Sequence, residues 1–99
     1  MIPIEIGSVS HGTLRTPDLL RAFAGTLERL IPHTYAGLIQ DARDSAEEID
    51  SDPGHPGNNE CGLEIVQELI DALDQLAPDG VYFGAHEGDG ADFGFWRIA

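Results

Sequence analysis

The fold is decided by residues 60–98, ECGLEIVQELIDALDQLAPDGVYFGAHEGDGADFGFWRI, where the hydrophobic pattern changes its period. In the first half of this stretch, apolar residues recur every three or four positions, which predicts a helix that ends near Leu76. Asn59 is expected to be its N-cap residue. The apolar stripe of this helix is expected to contain Leu63, Val66, Leu69, Ile70, Leu73 and Leu76.

The second half of the stretch predicts a β-hairpin. Two aromatic runs, VYFGAH (81–86) and DFGFWRI (92–98), flank the glycine-rich loop EGDGA (87–91). Centring the loop on Asp89 predicts three cross-strand pairs on one side: Tyr82 with Trp96, Gly84 with Gly94 and His86 with Asp92. The alternating residues on the other side are expected in the core: Val81, Phe83, Ala85, Phe93 and Phe95.

The residues upstream predict one strand and two more helices. Residues 1–9 alternate weakly at Ile2, Ile4 and Ile6 and are expected to form a short strand. A helix begins at Thr16-Pro17-Asp18, with Thr16 as its N-cap, and ends before Pro32. A second helix is expected over about residues 34–49, followed by a loop at 51–59, SDPGHPGNN. The chain is therefore expected to be a single α+β domain over residues 1–99, with three helices packed on a small antiparallel sheet and a C-terminal β-hairpin.

The composition is strongly acidic, and this restricts the partners. Eighteen Asp and Glu residues, five arginines and no lysine give a formal net charge of −13. Such a surface repels nucleic acid and anionic membranes and attracts basic proteins. The chain has one cysteine, no signal peptide and no apolar run of about 20 residues, so we expect a cytoplasmic protein that does not insert into a membrane.

Eleven of the eighteen acids lie between residues 41 and 74, opposed only by Arg43. Helical spacing puts one group on the exposed face of the third helix, opposite its apolar stripe: Glu60, Glu64, Glu68 and Asp71, with Asp74 beyond them. A second group covers the end of the second helix and the loop: Asp41, Asp44, Glu47, Glu48, Asp50 and Asp52. An acidic row of this kind resembles a row of phosphates, but it could also be only a solvated face. The lack of basic residues favours a functional surface. The residues expected to bind the partner are Asp44, Glu47, Glu48, Asp50, Glu60, Glu64, Glu68 and Asp71.

The hairpin offers an alternative site. Its predicted cross-strand pairs would form a small ligand groove from Tyr82, His86, Asp92 and Trp96, in which a His–Asp pair could act as a general base. We favour another interpretation, in which Gly84 and Gly94 mark the close approach of a helix while the aromatic residues cover an edge. No spacing of His, Cys, Asp or Glu matches a known metal or catalytic motif, so we expect no metal, no cofactor and no enzymatic activity.

Two segments of the chain are similar to segments of known proteins. SVSHGTLRTPDLLRAF (8–23) and LAPDGVYFGAHEGDGADFGFW (76–96) resemble small acidic proteins of bacteriophages and mobile elements. The resemblance covers about a third of the chain and implies no reaction. It implies a setting in which anti-CRISPR and anti-restriction inhibitors occur.

Three functions follow as hypotheses. The first is an acidic phage or mobile-element inhibitor that imitates DNA and binds a basic nucleic-acid-handling host protein. The second is a small-ligand or enzymatic module at the hairpin. The third is a structural assembly component whose acidity serves solubility. A homodimer is compatible with each, although self-association would favour the third over the first.

Overall fold

In a computed structural model, the protein is described over residues 6–13, 15–31, 33–52, 54 and 56–98. The elements follow one another as β1 (Gly7–Ser10), α1 (Thr16–Leu30), α2 (Ala36–Ser51), α3 (Pro56–Leu76), β2 (Val81–His86) and β3 (Asp89–Arg97). The predicted α+β class, with three helices and a C-terminal hairpin in an antiparallel sheet, is confirmed. Of the predicted first strand, Ile2 and Ile4 lie outside the described residues, and the strand that is described continues to Ser10.

The sheet has the strand order β1-β3-β2, and both pairings are antiparallel. Helices α1 and α3 pack on one face of the sheet, where α1 contacts β1 and α3 contacts β2, and α2 packs against both of these helices. Phe23 of α1 is completely buried at the centre of this contact, with edge-on ring contacts to Phe83 at 5.2 Å and to Phe93 at 5.4 Å. Phe83 also packs against Phe95 of the neighbouring strand at 4.9 Å. The aromatic side chains predicted for the inner side of the hairpin therefore join the two layers.

Helix α1 begins at Thr16, the residue predicted to be its cap, which is one residue earlier than expected. Arg15 is the N-cap residue, and Thr16 is already helical. The turn before the helix is held by Thr13, whose hydroxyl accepts a hydrogen bond from the Arg15 N–H at 3.1 Å and donates one to Asp18 at 2.9 Å. The predicted cap at Thr16 is therefore wrong: Arg15 is the N-cap residue, and its side chain makes no capping hydrogen bond.

The predicted loop over residues 51–59 is much shorter in the structure. Helix α2 continues through Ser51 and α3 begins at Pro56, so Asn59 lies inside the helix and is not its cap. Proline is tolerated in the first turn of a helix, where its missing N–H would have no partner. The three helices also pack closely here, since a Cβ atom at Gly62 of α3 would lie 2.8 Å from side-chain atoms of both Ile49 and Thr16.

One residue of the predicted apolar stripe of α3 is not in the core. Val66, Leu69 and Leu73 are buried, but the side chain of Leu63 is 56% exposed. Three helical residues turn through about 300°, so Leu63 lies only about 60° around the helix axis from Glu60. Leu63 is therefore at the margin between the apolar and acidic sides of the helix.

The predicted register of the hairpin is correct at residues 82–84 and wrong next to the turn, at His86. Tyr82 pairs with Trp96 and Gly84 with Gly94, as predicted. His86, however, pairs with Asp89, because the strands are joined by a two-residue turn and the register then shifts between Ala85 and His86. The predicted His86–Asp92 pair is wrong.

The extra residues of β3, 90–92, form an irregularity next to this turn. Asp92 accepts a hydrogen bond from the hydroxyl of Ser8, in β1, at 2.6 Å. Its side chain is therefore directed to the strand on the other side of β3. This interaction spans 84 positions of the sequence, and the local hairpin pattern carries no signal for it.

Candidate functional site

Two rows of carboxylates cover one side of the helical layer. Each residue in these rows is exposed, and their helical spacing places them away from the buried residues of α2 and α3. We call this surface the acidic face. It consists of Asp41, Asp44, Glu47, Glu48 and Asp52 from α2 and its C-cap, and of Glu60, Glu64, Glu68 and Asp71 from α3.

The two rows run antiparallel. Asp41, near the start of α2, lines the same groove as Glu68 and Asp71, near the end of α3. At the opposite end, Gly62 of α3 packs against Ile49 and Ser45 of α2. The predicted clusters, which are separate in the sequence, therefore lie side by side along the contact between these two helices.

The groove between the rows combines an apolar lining with a charged rim. It has a volume of about 530 Å³. Leu38 and Ala72 contribute apolar surface, Tyr35 is half-buried beside them, and the carboxylates of Asp41, Glu68 and Asp71 complete the lining together with Gly37 and Gln75. This combination suits a cationic group on an aliphatic stem, because the stem can cover apolar surface while the charge stays at the rim.

A second hollow lies farther along α2 and is lined by acidic residues and one serine. It has a volume of about 470 Å³ and is lined by Asp44, Glu47, Glu48, Ser51 and Asp52. Amide side chains also contact the rows: Gln40 donates to Asp44 at 2.9 Å, and Gln67 donates to Asp71 at 3.0 Å. These amides fix two of the carboxylates without neutralising them.

Three of the five arginines, Arg15, Arg21 and Arg43, form ion pairs with acids of α1 and α2. Arg43, the only basic residue of α2, donates two hydrogen bonds to Glu28 of α1, at 2.8 and 3.0 Å. The hydrogen bonds and the charge of Arg43 lower the pKa of Glu28, and the same interaction raises the pKa of Arg43. Arg43 is therefore directed toward α1 and does not offset the acidic face.

Asp50 is also placed away from the acidic face. Its carboxylate lies 2.6 Å from Arg21 and 3.5 Å from Arg15, both on the α1 side of the molecule. Within the described part of the chain, Asp50 is the only one of the eleven acids between residues 41 and 74 that forms an ion pair. The structure thus separates Asp50 from the other residues predicted to bind a partner.

Asp74, beyond the predicted row, interacts with the sheet. Its carboxylate accepts a hydrogen bond from the Phe83 N–H of β2 at 3.0 Å. Because β2 pairs only with β3, this N–H lies at the outer edge of the sheet, where it has no strand partner among the described residues. Asp74 therefore connects α3 to β2.

The polar groups of the alternative hairpin site bind the hairpin itself. The Tyr82 hydroxyl donates to the Ala85 carbonyl at 3.1 Å, and the Trp96 indole N–H donates to the Gly84 carbonyl at 3.0 Å. His86 accepts a hydrogen bond at Nδ1 from the Gly88 N–H at 3.0 Å, and its ring packs edge-on against Trp96 at 4.7 Å.

The fourth residue of the alternative site, Asp92, binds Ser8 instead of His86. The close approach expected at the glycines does occur at Gly94, where a Cβ atom would collide with the Gly7 carbonyl oxygen. The approaching element is strand β1 and not a helix, which corrects that part of the prediction.

The groove and its apolar lining were not predicted from the sequence. Tyr35 lies within the helix predicted over about residues 34–49, but in the structure it is the N-cap residue of α2, which begins at Ala36. The spacing of the acids in each helix was visible in the sequence. The antiparallel contact that joins them depends on small residues at the helix crossing, Gly62 and Ser45, whose role is not visible from periodicity alone.

Among the described residues, no three His, Cys, Asp or Glu side chains form a group that could hold a metal ion. In the same part of the chain, no helix has the length and apolar character needed to cross a membrane. Comparison of the chain with models of known protein families, with curated proteins and with solved structures gave no match.

Proposed function

We propose that this protein is a non-enzymatic inhibitor that binds a basic nucleic-acid-handling protein of its host through the acidic face. The observation that carries the proposal is the antiparallel pair of carboxylate rows, together with the pairing of Arg43 to an acid outside them. Arg43 lies among the acids of the α2 row in sequence, but it binds Glu28 of α1 and leaves the rows without a basic partner among the described residues.

The spacings of the carboxylates on the acidic face are similar in scale to the spacings of the phosphates in DNA, which supports DNA mimicry. Carboxylates four residues apart on a helix are separated by about 6 Å along its axis. Phosphates on one DNA strand recur about every 3.4 Å of axial rise and are farther apart along the backbone. Packed helices lie about 8–10 Å apart, which is between the widths of the two DNA grooves, about 6 and 12 Å. Two antiparallel acidic rows are thus similar in scale to two phosphate strands.

The groove supports specific recognition in addition to general attraction. A lysine or arginine of the partner could place its aliphatic part on Leu38 and Ala72, with its charged end near Asp41, Glu68 and Asp71. The surrounding carboxylates would accelerate the encounter and make it sensitive to salt. Inhibition would follow because the partner's DNA-binding groove is occupied.

We also propose the biological context in which this inhibitor acts. The resemblance of residues 8–23 and 76–96 to small acidic phage and mobile-element proteins favours an anti-CRISPR or anti-restriction type of inhibitor that acts in the host cytoplasm. The negative charge disfavours direct binding to nucleic acid, so the action would be on the protein that handles it.

The test is capture followed by competition. Immobilised protein is incubated with nuclease-treated host lysate, and bound proteins are eluted with a salt gradient. We expect a basic nucleic-acid-binding enzyme to elute at moderate salt, and we expect added DNA and the acidic protein to compete for it in a fluorescence anisotropy assay. If the captured protein binds DNA equally well with and without this protein, the DNA-mimic proposal is wrong.

A further inference from the structure

The groove between the two rows differs from the rest of the acidic face because part of its lining is apolar and aromatic. Leu38 and Ala72 supply aliphatic surface from α2 and α3, and Tyr35, the N-cap residue of α2, packs against the core and lines the groove beside them. The groove has a volume of about 530 Å³. Sites for small ligands measure roughly 300–1,000 Å³, so the groove has room for a whole side chain of another protein.

The carboxylates of the groove come from both helices. Asp41 belongs to α2, whereas Glu68 and Asp71 belong to α3. Within the described part of the chain, none of the three forms an ion pair, and the amide of Gln67 contacts one oxygen of Asp71 without neutralising it. A cation that enters the groove would therefore be attracted from two sides.

The second hollow, farther along α2, provides a comparison within the same surface. Among the described residues, its lining contains Ser51 and four acids but no aromatic or aliphatic residue. Both places attract cations by their charge. Only the groove also offers a surface on which the uncharged part of a cationic side chain can pack.

The two permanently cationic side chains of proteins differ in their fit to such a groove. The guanidinium of arginine is planar and weakly hydrated, stacks on aromatic rings, and carries five N–H donors that point in different directions. The ammonium of lysine is a compact and strongly hydrated charge. A groove with a tyrosine, an aliphatic floor and carboxylates on two helices therefore favours arginine.

We infer that the groove is the docking site for one arginine of the basic partner, and that it selects arginine over lysine. The aliphatic part of this arginine packs on Leu38 and Ala72, and its guanidinium stacks on Tyr35. The N–H donors bind Asp41 on one side and the acids of α3 on the other. The inference rests on the proposed function, because it names the partner side chain that the acidic face recognises. On DNA the same arginine would bind phosphate oxygens, for which the carboxylates are substitutes.

The experiment compares two fluorescently labelled peptides of equal charge, hexa-arginine and hexa-lysine, as probes of the full chain. Their dissociation constants are measured by fluorescence anisotropy at one fixed ionic strength. We expect hexa-arginine to bind about tenfold more tightly than hexa-lysine. Tyr35→Leu should reduce this ratio by about threefold or more, because it removes the aromatic ring and no charge. Tyr35→Phe should preserve the ratio, because the aromatic face is retained.

Two matched controls accompany these variants. Tyr82→Leu changes the other tyrosine of the chain, which is also half-buried but lies in β2, and it should leave the ratio unchanged. Asp41→Asn should lower the ratio, whereas Asp44→Asn, in the second hollow, should weaken both peptides by the same factor. Circular dichroism shows whether each variant is folded. Asp41 and Asp44 are exposed, so this pair decides the question even if a tyrosine variant does not fold.

Three results would each overturn the inference: equal affinity of the two peptides for the unaltered protein, a ratio that Tyr35→Leu and Asp41→Asn leave unchanged, or an equal reduction of the ratio by Tyr82→Leu. Capture of a basic protein and its competition with DNA do not depend on the ratio, so the proposed function would then still stand on its own test. Conversely, a preference for arginine that depends on Tyr35, without competition against DNA, would refute the DNA mimic and leave the arginine site.

Discussion

The two outer surfaces of this molecule differ in almost every respect. The acidic face is built on helices, where three- and four-residue spacing lets exposed carboxylates follow one another in rows. The outer face of the sheet, on the side opposite the helices, is built on strands, where alternate residues bring Tyr82, Trp96 and Ile98 to one side. The first surface concentrates carboxylates, whereas the second carries a single carboxylate on the central strand, Asp92, which is hydrogen-bonded to Ser8.

The net charge of −13 is therefore not distributed uniformly over the surface. Salt should weaken contacts made by the acidic face, because it screens their attraction to a basic partner. Contacts made by the outer face of the sheet, which carries little charge, should depend much less on salt. The salt dependence of a contact therefore indicates whether the acidic face forms it.

The largest expected effect is on partner binding. Reversing two acids of the α3 row, in Glu64→Lys with Glu68→Lys, should weaken binding to the captured basic protein by about 100-fold or more, because each lysine faces like charge across the interface. The dissociation constant can be measured by biolayer interferometry at fixed salt.

The matched control changes the same amount of charge elsewhere. Asp79→Lys with Glu87→Lys also shifts the net charge by +4, from −13 to −9, at exposed positions in the turn before β2 and in the hairpin turn. It should reduce affinity only through long-range attraction, by much less than the α3 pair. Equal losses in the two variants would show that bulk charge, and not the acidic face, determines binding.

The next effect is on the stability of the sheet. Gly94→Ala should destabilise the protein by about 1–3 kcal/mol, since a methyl group would collide with the Gly7 carbonyl oxygen and lie 2.9 Å from the Ser8 Cα atom. Its cross-strand neighbour is the control. At Gly84 a methyl group would meet only the Tyr82 ring, at an ordinary 3.6 Å, so Gly84→Ala should be neutral or slightly stabilising. Urea denaturation measures both, and similar losses would contradict the close approach of β1.

The body of the hairpin and most of its inner face could be predicted because alternation of aromatic residues and glycines is a local signal, although Ala85, expected in the core, is exposed. Centring the loop on Asp89 gives the pairs Tyr82–Trp96 and Gly84–Gly94, and these hold because the three extra residues of β3 offset the displacement of the turn to residues 87–88. The tip could not be predicted in this way. Its irregularity at residues 90–92 accompanies a hydrogen bond between Ser8 and Asp92, which are brought together only when β1 adds to the sheet.

Prediction of the acidic rows is limited in the same way, by contacts between elements that are distant in the sequence. Periodicity correctly placed Glu60, Glu64, Glu68 and Asp71 on one exposed face of α3. It could not show that Asp50 would pair with Arg21, because that contact depends on how α1 packs beside α2. It also included Leu63 in the core stripe, since a residue at the edge of a helix face is buried or exposed according to its neighbours in space.

A smaller effect is expected from the repulsion within the α3 row. Glu64 is flanked by Glu60 and Glu68, each four residues away, and like charges at this spacing cost a helix a few tenths of a kcal/mol per pair. Glu64→Gln should therefore raise the free energy of unfolding by about 0.5 kcal/mol at low salt and by less at high salt. Chemical denaturation at two salt concentrations measures this. A salt-independent gain would point to helix propensity as its cause.

The smallest effect concerns Glu28, an acid of α1 that does have a basic partner. Because Arg43 lowers the pKa of Glu28 from its ordinary 4.5, the ion pair stabilises the fold fully above that value and is lost as the pH falls through the lower pKa of the folded state. Glu28→Gln should thus be slightly less stable than the unaltered protein at neutral pH and equally stable in strong acid. Glu47→Gln, on the acidic face, removes no ion pair of the described structure and should not show this loss at neutral pH. Urea denaturation across a pH series compares the two variants. If both lose stability at neutral pH in the same way, the contrast between paired acids beside α1 and unpaired acids on the acidic face does not hold.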